Sequence, residues 1–370
     1  MKRLILLMCT LLLVSGACLA EEQAQDLLAS VDTGKIQSFA DQYMPGVDME
    51  NVAGDVLNGN INGFGRIYAY IKSAITESLS STAKTASGII APVLLMALLG
   101  NAFPDASGGV NGAKFMLMLS LIGTLSGIAA KALSSAQVCM RAAGEFSDII
   151  APVLTAVTTA AGMNGSAALV SPSAAMAGNI IGRLFSKYGT IACRYALILS
   201  VAGNLSAAVD LSPLVSGIRK AVNWCCGLAS TLFAALITVQ NSVAASLDST
   251  AVKTAKYTVD SFTSIIGSGV SDAWNTYVSG VSIAKNVVGV SGAAAMLAAG
   301  IKPIAEVLFS MLLLNMIALF LKLTGETRAS KAAEQLSGVC QMALALSCGC
   351  AVVAVILVSA AMFAGRGMFF

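Results

Sequence analysis

Three charged side chains stand inside or beside long apolar stretches of this chain, which makes them the first candidates for chemistry. They are Arg194, Lys285 and Glu306, and the amide of Asn286 follows the second of them. A charge inside a bilayer is costly, so such residues often bind a substrate or an ion, or carry a proton. Arg194 and Lys285 lie near predicted helix ends, where long side chains also reach water, and a structural role is the preferred interpretation for each.

Two residue types limit the chemistry that the chain can perform. Histidine is absent, which excludes Ser-His-Asp and Cys-His catalysis, His-ligated zinc and a histidine proton relay. Most of the nine cysteines lie in or beside apolar stretches, a pattern typical of buried thiols. Cys348 and Cys350 are close enough for a metal or redox pair, but no second ligand pair accompanies them. We therefore expect no cofactor, no metal and no enzymatic activity.

The composition indicates whether the chain folds in water or in a lipid bilayer. Hydrophobic residues make up 56% and charged residues only 11%, whereas soluble domains average about a quarter charged. Apolar stretches of near-spanning length recur from residue 88 to the C-terminus, which predicts an all-α, polytopic transmembrane helical bundle in a lipid bilayer. The net charge of +3, without a basic cluster, does not favour nucleic acid as a partner.

The N-terminal part has two predicted segments. Residues 1–20 combine a basic start with an apolar run and small residues, the order of a signal peptide, although an uncleaved first helix stays open. Residues 21–87 form an acidic region with apolar residues at helical spacing, predicted to lie outside the cytoplasm. This region is either a small folded cap or, as we prefer, a docking surface for a partner.

Eight membrane spans are predicted along the rest of the chain, and a ninth candidate at 167–182 is too polar to count. The first part of the bundle covers 88–245 and the C-terminal part 281–370. The positive-inside rule then places both mature termini outside the cytoplasm. The eight spans are 88–103, 114–134, 148–165, 189–209, 222–243, 281–300, 303–322 and 336–363.

The segment 246–280 between the two parts of the bundle is too polar to cross a membrane. Its apolar residues recur at helical spacing, which predicts amphipathic helices lying at the cytoplasmic membrane surface. Several of its residues, with neighbours on either side, form a distinctive set: Ile237-Thr238-Val239-Gln240, Lys253, Lys256, Phe262, Gly267, Asp272, Lys285 and Asn286.

This set resembles the stage III sporulation protein AE family of endospore-forming bacteria. The leader, the acidic region, the run of spans and the basic loop before the last span fit the same family. The chain departs from it at Ser264, near which the family often has proline. It departs again at Thr324–Gln335, where the family is rich in glycine and proline.

The resemblance implies a multi-pass component of a channel complex that links mother cell and forespore across the engulfment membranes. Its partners would be other membrane proteins of that complex, and its location the mother-cell membrane around the forespore. The alternative is a stand-alone secondary transporter or small-molecule exporter, in which Arg194 and Glu306 would bind substrate or protons. The candidate functional or packing residues are Arg194, Lys253, Lys256, Phe262, Asp272, Lys285, Asn286 and Glu306.

Overall fold

The structure, a computed structural model, describes residues 34–57, 62–102, 109–160, 176–205, 211–266 and 269–363. Every regular element among these residues is helical, which confirms the all-α prediction; the predicted signal peptide lies outside them. A five-residue π-helical stretch, Phe185–Gly189, joins α5 to α6. The helices are α1 Gly34–Tyr43, α2 Met49–Leu57, α3 Asn62–Ala102, α4 Gly109–Ala160, α5 176–184, α6 Thr190–Leu205, α7 Ser212–Ile266, α8 Gly269–Leu323 and α9 Thr327–Phe363.

Within the described ranges, five helices are long and apolar enough to cross a membrane, so the predicted eight spans are not confirmed. Predicted span 114–134 and the described part of predicted span 148–165, up to residue 160, lie on one continuous 52-residue helix, α4. Spans 281–300 and 303–322 likewise share α8. A single helix cannot reverse its direction, so neither pair can be two crossings. The candidate spans are Gly65–Leu99, Gly112–Ile150, Ser212–Gln240, Asn286–Leu323 and Thr327–Ser359.

The physical reason for the merged spans is that helix continuity does not require continuous hydropathy. Charged residues interrupt the apolar pattern of α4 after residue 140, yet its backbone hydrogen bonding continues to Ala160. In α8, Pro303 is the first residue of predicted span 303–322 but lies inside the helix, as membrane helices tolerate when neighbours supply replacement contacts. The predicted span 189–209 overlaps α6, which continues from α5 through the π-helical stretch, and it is not among the five candidate spans.

The predicted domain boundaries that lie among the described residues fall inside helices. The boundary at 87/88 lies in α3, and the ends of segment 246–280 lie in α7 and α8. Apart from 267–268, the backbone of that segment is helical and continues the two membrane-length helices on either side of it. A helix can leave a bilayer without ending, so continuous helices do not contradict the predicted boundaries. The domain division and the location of segment 246–280 at the membrane surface therefore stay predictions.

Helix α9 lies at the centre of the bundle and packs against α4, α6, α7 and α8. In its most apolar window 56% of the residues are buried, against 17% for α7. Helix α7 is therefore peripheral, and it exposes large apolar side chains such as Trp224, Leu232 and Val239. In a membrane such a face contacts lipid rather than water.

A tight turn connects α8 to α9 and makes them antiparallel. Gly325 has φ +83°, a conformation that glycine adopts without steric cost. The Glu326 N–H donates to the Leu321 carbonyl at 3.0 Å, and the Gly325 N–H donates to the Lys322 carbonyl at 3.2 Å. This pair of bonds is the Schellman motif that ends helices.

The two short helices α1 and α2 pack against α4 and α8. The rings of Phe39 and Phe146 are 5.4 Å apart, and the Tyr43 hydroxyl donates to the Glu145 carboxylate at 2.7 Å. Burial raises the pKa of Tyr43, and the hydrogen bond to Glu145 raises it further. This part of the acidic region is thus a folded cap on the bundle of its own chain; docking of a partner stays a prediction.

Candidate functional site

Polar side chains of α3, α4 and α8 meet along the junction of these helices, and we call this cluster the polar seam. Each helix contributes them at spacings of three or four residues, which places them on one face. On α4 they are Lys131 and Ser135, and on α8 they recur every fourth residue. The full set is Glu77, Ser78, Ser81, Thr82, Thr85, Lys131, Ser135, Lys302, Glu306 and Ser310.

Hydrogen bonds between helices hold the inner part of the polar seam, in which Ser135 and Glu306 are half-buried and Lys131 is exposed. The Ser135 hydroxyl of α4 donates to the Glu306 carboxylate of α8. The Lys131 ammonium donates to the Ser81 hydroxyl of α3 at 3.1 Å. A cavity of about 20 Å³ lies between these groups, which is enough for one water molecule.

The outer part of the polar seam is an ion pair between α3 and α8. The Lys302 ammonium lies 2.9 and 3.0 Å from the two carboxylate oxygens of Glu77. These side chains are 37% and 64% exposed, so solvent weakens their attraction. The buried Ser78 hydroxyl also reaches the Lys302 carbonyl, at 3.5 Å, and brings α3 close to α8 at this level.

The hydroxyls of α3 that face the cavity keep free acceptor capacity. Thr82 and Thr85 each donate to a carbonyl of their own helix at 2.9 Å, so their hydroxyl oxygens remain available as acceptors. A carboxylate, an ammonium and hydroxyl oxygens around a water-sized gap can hold water and move a proton. A metal is not favoured there, because Lys131 already supplies positive charge. Among the described residues no group of three or more His, Cys, Asp and Glu is arranged to hold a metal ion.

Of the candidates predicted from the sequence, Glu306 belongs to the polar seam and Arg194 does not. Arg194 is exposed on α6, and its guanidinium donates to the Gln137 amide oxygen at 3.4 Å. Gln137 and Ser135 are two residues apart on α4 and so point in nearly opposite directions. Arg194 and Glu306 therefore lie on different sides of that helix.

The remaining candidates lie away from the polar seam. Asn286 is exposed on α8 and precedes Glu306 by about 20 residues, or roughly 30 Å along the helix. The others are described by their backbone alone, and any role for them stays a prediction. Lys253, Lys256 and Phe262 lie on α7, and Asp272 and Lys285 on α8.

Sequence reasoning missed most of the polar seam, although a signal was available. Lys302 falls in the short gap between predicted spans 281–300 and 303–322, and Lys131 falls near the end of predicted span 114–134. Both residues have a polar partner four positions later, Glu306 and Ser135. Such i, i+4 pairs on otherwise apolar helices mark a face that must be paired inside a membrane.

The cysteines that the structure describes form no metal site. Those that the structure describes are free thiols, and Cys139, Cys193, Cys340 and Cys350 are buried within the bundle. The Cys139 thiol approaches the Ser347 carbonyl at 3.9 Å. Cys225 differs in being exposed on peripheral helix α7.

Comparison with known proteins decides the family. The family model described as stage III sporulation protein AE matches residues 47–367, which is most of the chain. This chain belongs to the stage III sporulation protein AE family. It is 24% identical over 302 residues to the "Stage III sporulation protein AE" of Bacillus subtilis (strain 168), covering 78% of this chain and 75% of that protein. No solved structure matches it.

Family membership confirms the resemblance found in the sequence and indicates a role in sporulation. Together with the five span-length apolar helices, it indicates a membrane protein of sporulating cells. The family is one of sporulation proteins rather than of known enzymes.

Proposed function

We propose that this protein is a multi-pass membrane component of the transenvelope channel complex that links mother cell and forespore. In this proposal it resides in the mother-cell membrane around the forespore and is required for forespore development after engulfment. Its partners are other membrane proteins of the complex. The observation that carries the proposal is the family match over residues 47–367, in a chain with five helices fit to span a bilayer.

The arrangement of the bundle supports a component role. Helix α7 leaves most of its apolar window exposed and continues beyond it to Ile266 without ending. A peripheral helix of this kind offers a large surface to lipid or to a neighbouring membrane protein. The distinctive residues of segment 246–280 lie on its continuation and on the start of α8.

The test uses a deletion strain in which the gene is supplied again under one of two promoters. One promoter is active only in the mother cell, and the other only in the forespore. Mother-cell expression should restore heat-resistant spores, and forespore expression should not, because the protein must enter the membrane from the mother-cell side. Without the gene, engulfment should finish before development stops. Rescue by forespore-only expression would contradict the proposed location.

A stand-alone secondary transporter is the second candidate, and the polar seam favours it. A carboxylate and an ammonium beside a water-sized cavity, on helices apolar enough to span a bilayer, suit proton or substrate binding. Purified protein in liposomes separates the two functions. A component of a complex should be inert alone, whereas a transporter should move solute or protons and lose this activity on Glu306→Gln.

A further inference from the structure

A second polar cavity lies between α6, α7 and α9, apart from the polar seam. Its volume is about 230 Å³, and its polar lining consists of Ser212, Ser216, Arg219, Glu334 and Gln335. The first three lie in the first turns of α7, and the last two lie near the start of α9. The cavity is therefore at the end of the bundle where both helices begin.

The guanidinium of Arg219 lies against a glycine at the wall of this cavity. An added Cβ at Gly338 would lie 2.5 Å from the Arg219 Nη1 atom, so the guanidinium rests directly against the backbone of α9. A Cβ at position 338 would therefore require the guanidinium to move. The half-buried guanidinium is thus placed at the cavity wall rather than extended into solvent.

Arg219 lacks an anionic partner among the residues that the structure describes. The cavity's carboxylate, Glu334, instead lies 3.8 Å from the Lys322 ammonium. Gln335 is also occupied, since its amide oxygen accepts from Ser200 at 3.1 Å and from Asn204 at 2.7 Å. Its amide nitrogen donates to Ser212. The guanidinium is therefore left with donors that are free to bind a ligand.

The position of the cavity along the helices indicates the depth at which it lies. Arg219 and Lys220 are the last charged residues of α7 before the uncharged stretch 221–247, and Glu334 is the last on α9 before 335–363. Such a change from charged to uncharged residues is typical of the headgroup level of a bilayer. Trp224, 68% exposed on the next turn of α7, fits the aromatic belt found at that level.

We propose that this cavity binds a phosphate group, with the Arg219 guanidinium as its cationic ligand. A guanidinium pairs two parallel N–H donors with two phosphate oxygens. The cavity lies at headgroup depth beside lipid-exposed α7, so the source of the phosphate is an anionic phospholipid such as phosphatidylglycerol. Inorganic phosphate carries the same chemistry and is separated from the lipid by the experiment.

The test uses full-length protein in which Trp274→Phe leaves Trp224 as the remaining tryptophan of the two in the chain. The protein is placed in phosphatidylcholine vesicles with increasing fractions of brominated phosphatidylglycerol or brominated phosphatidylcholine, and quenching of Trp224 is measured. Brominated phosphatidylglycerol should reach half-maximal quenching at about a tenfold lower fraction, the effect of one charge-assisted bidentate contact.

Three variants test whether Arg219 causes the preference for phosphatidylglycerol. Arg219→Gln should remove it, and Gly338→Ala should reduce it without changing the charge, because the added methyl displaces the guanidinium. Lys220→Gln is the matched control: it removes the same charge from the next residue, which is exposed, and should leave the preference intact. Equal losses from Arg219→Gln and Lys220→Gln would show a general surface-charge effect and overturn the proposal.

A second measurement identifies the source of the phosphate and does not depend on the variants. Thermal unfolding of the detergent-solubilised wild-type protein is followed with phosphatidylglycerol, with inorganic phosphate and with chloride at equal ionic strength. Stabilisation by the lipid alone assigns the site to headgroups, and stabilisation by inorganic phosphate assigns it to a soluble phosphate. If neither stabilises and the wild type shows no quenching preference, the cavity is not a phosphate site.

Discussion

The polar seam and the Arg219 cavity are both polar regions between helices of the bundle. They differ in whether their charged side chains have partners within the chain. In the polar seam Glu306, Lys131 and Lys302 each bond to a side chain of another helix. The space left between them is about 20 Å³. In the Arg219 cavity the space is about 230 Å³, and no carboxylate of the described residues forms an ion pair with the guanidinium, since Glu334 pairs with Lys322.

This difference indicates two uses of polar residues in an apolar bundle. Placing a charge out of water is costly unless a partner compensates for it. Helices α3, α4 and α8 meet that requirement within the chain, so the polar seam fixes their register. Arg219 has no such partner among the described residues and lies beside a space large enough for a ligand. This arrangement indicates a partner from outside the chain.

The largest expected effect comes from removing the carboxylate at the centre of the polar seam. Glu306→Ala should destabilise the protein by about 2 kcal/mol, because the half-buried Ser135 hydroxyl loses its charged hydrogen-bond acceptor on the neighbouring helix. The measurement is SDS-induced unfolding in mixed micelles. Lys322→Met, at the exposed end of the same helix, is the control and should change stability by less than about 0.5 kcal/mol.

A double variant tests whether Lys131 and Glu306 depend on each other. If Lys131 and Glu306 compensate each other, Glu306→Ala combined with Lys131→Met should be less destabilising than the sum of the single changes. Simple additivity would mean that the two charges act independently and that the polar seam is not one unit.

The next effect concerns the wall of the Arg219 cavity. Gln335→Leu should cost about 1–2 kcal/mol, because Ser200, Asn204 and Ser212 lose a shared amide partner. Gln341→Leu on the same helix is the matched control, since Gln341 is exposed and the change should be near neutral. Unfolding in mixed micelles compares the two. Equal stability of both variants would mean that the amide does not support the cavity.

The smallest effect is expected at the outer ion pair. Lys302→Met should lower stability by only about 0.5 kcal/mol, because both partners are partly exposed and solvent screens them. The difference from the wild type, measured by the same unfolding method, should shrink further in high salt. A loss as large as that of Glu306→Ala would erase the distinction between the inner and outer parts of the polar seam.

Much of this protein followed from local properties of the chain. A low charge content and long apolar stretches require a helical membrane protein, because helices satisfy their backbone bonds within a segment that crosses lipid. The set of residues around Lys253, Phe262 and Lys285 indicated the family, which the family match confirmed. Glu306 was found because a carboxylate is rare in such a stretch.

Other features depended on which helices became neighbours. Hydropathy divided α4 and α8 into shorter spans, since it measures transfer into lipid and not the continuity of backbone hydrogen bonds. Lys131 and Ser81 are about 50 residues apart, so no local pattern predicts their contact. The same holds for Arg219 and Gly338, which meet only because α7 packs on α9.

By itself, the sequence determined the all-α membrane class, the family and the rarity of charges in apolar stretches, because each is a property of residue types and near neighbours. Only the tertiary structure decided that Glu306 joins a paired polar seam, that Arg194 lies on another side of α4, and that Arg219 faces an open cavity. The physical reason is that the cost of a charge depends on the groups around it, and helices distant in the chain supply those groups.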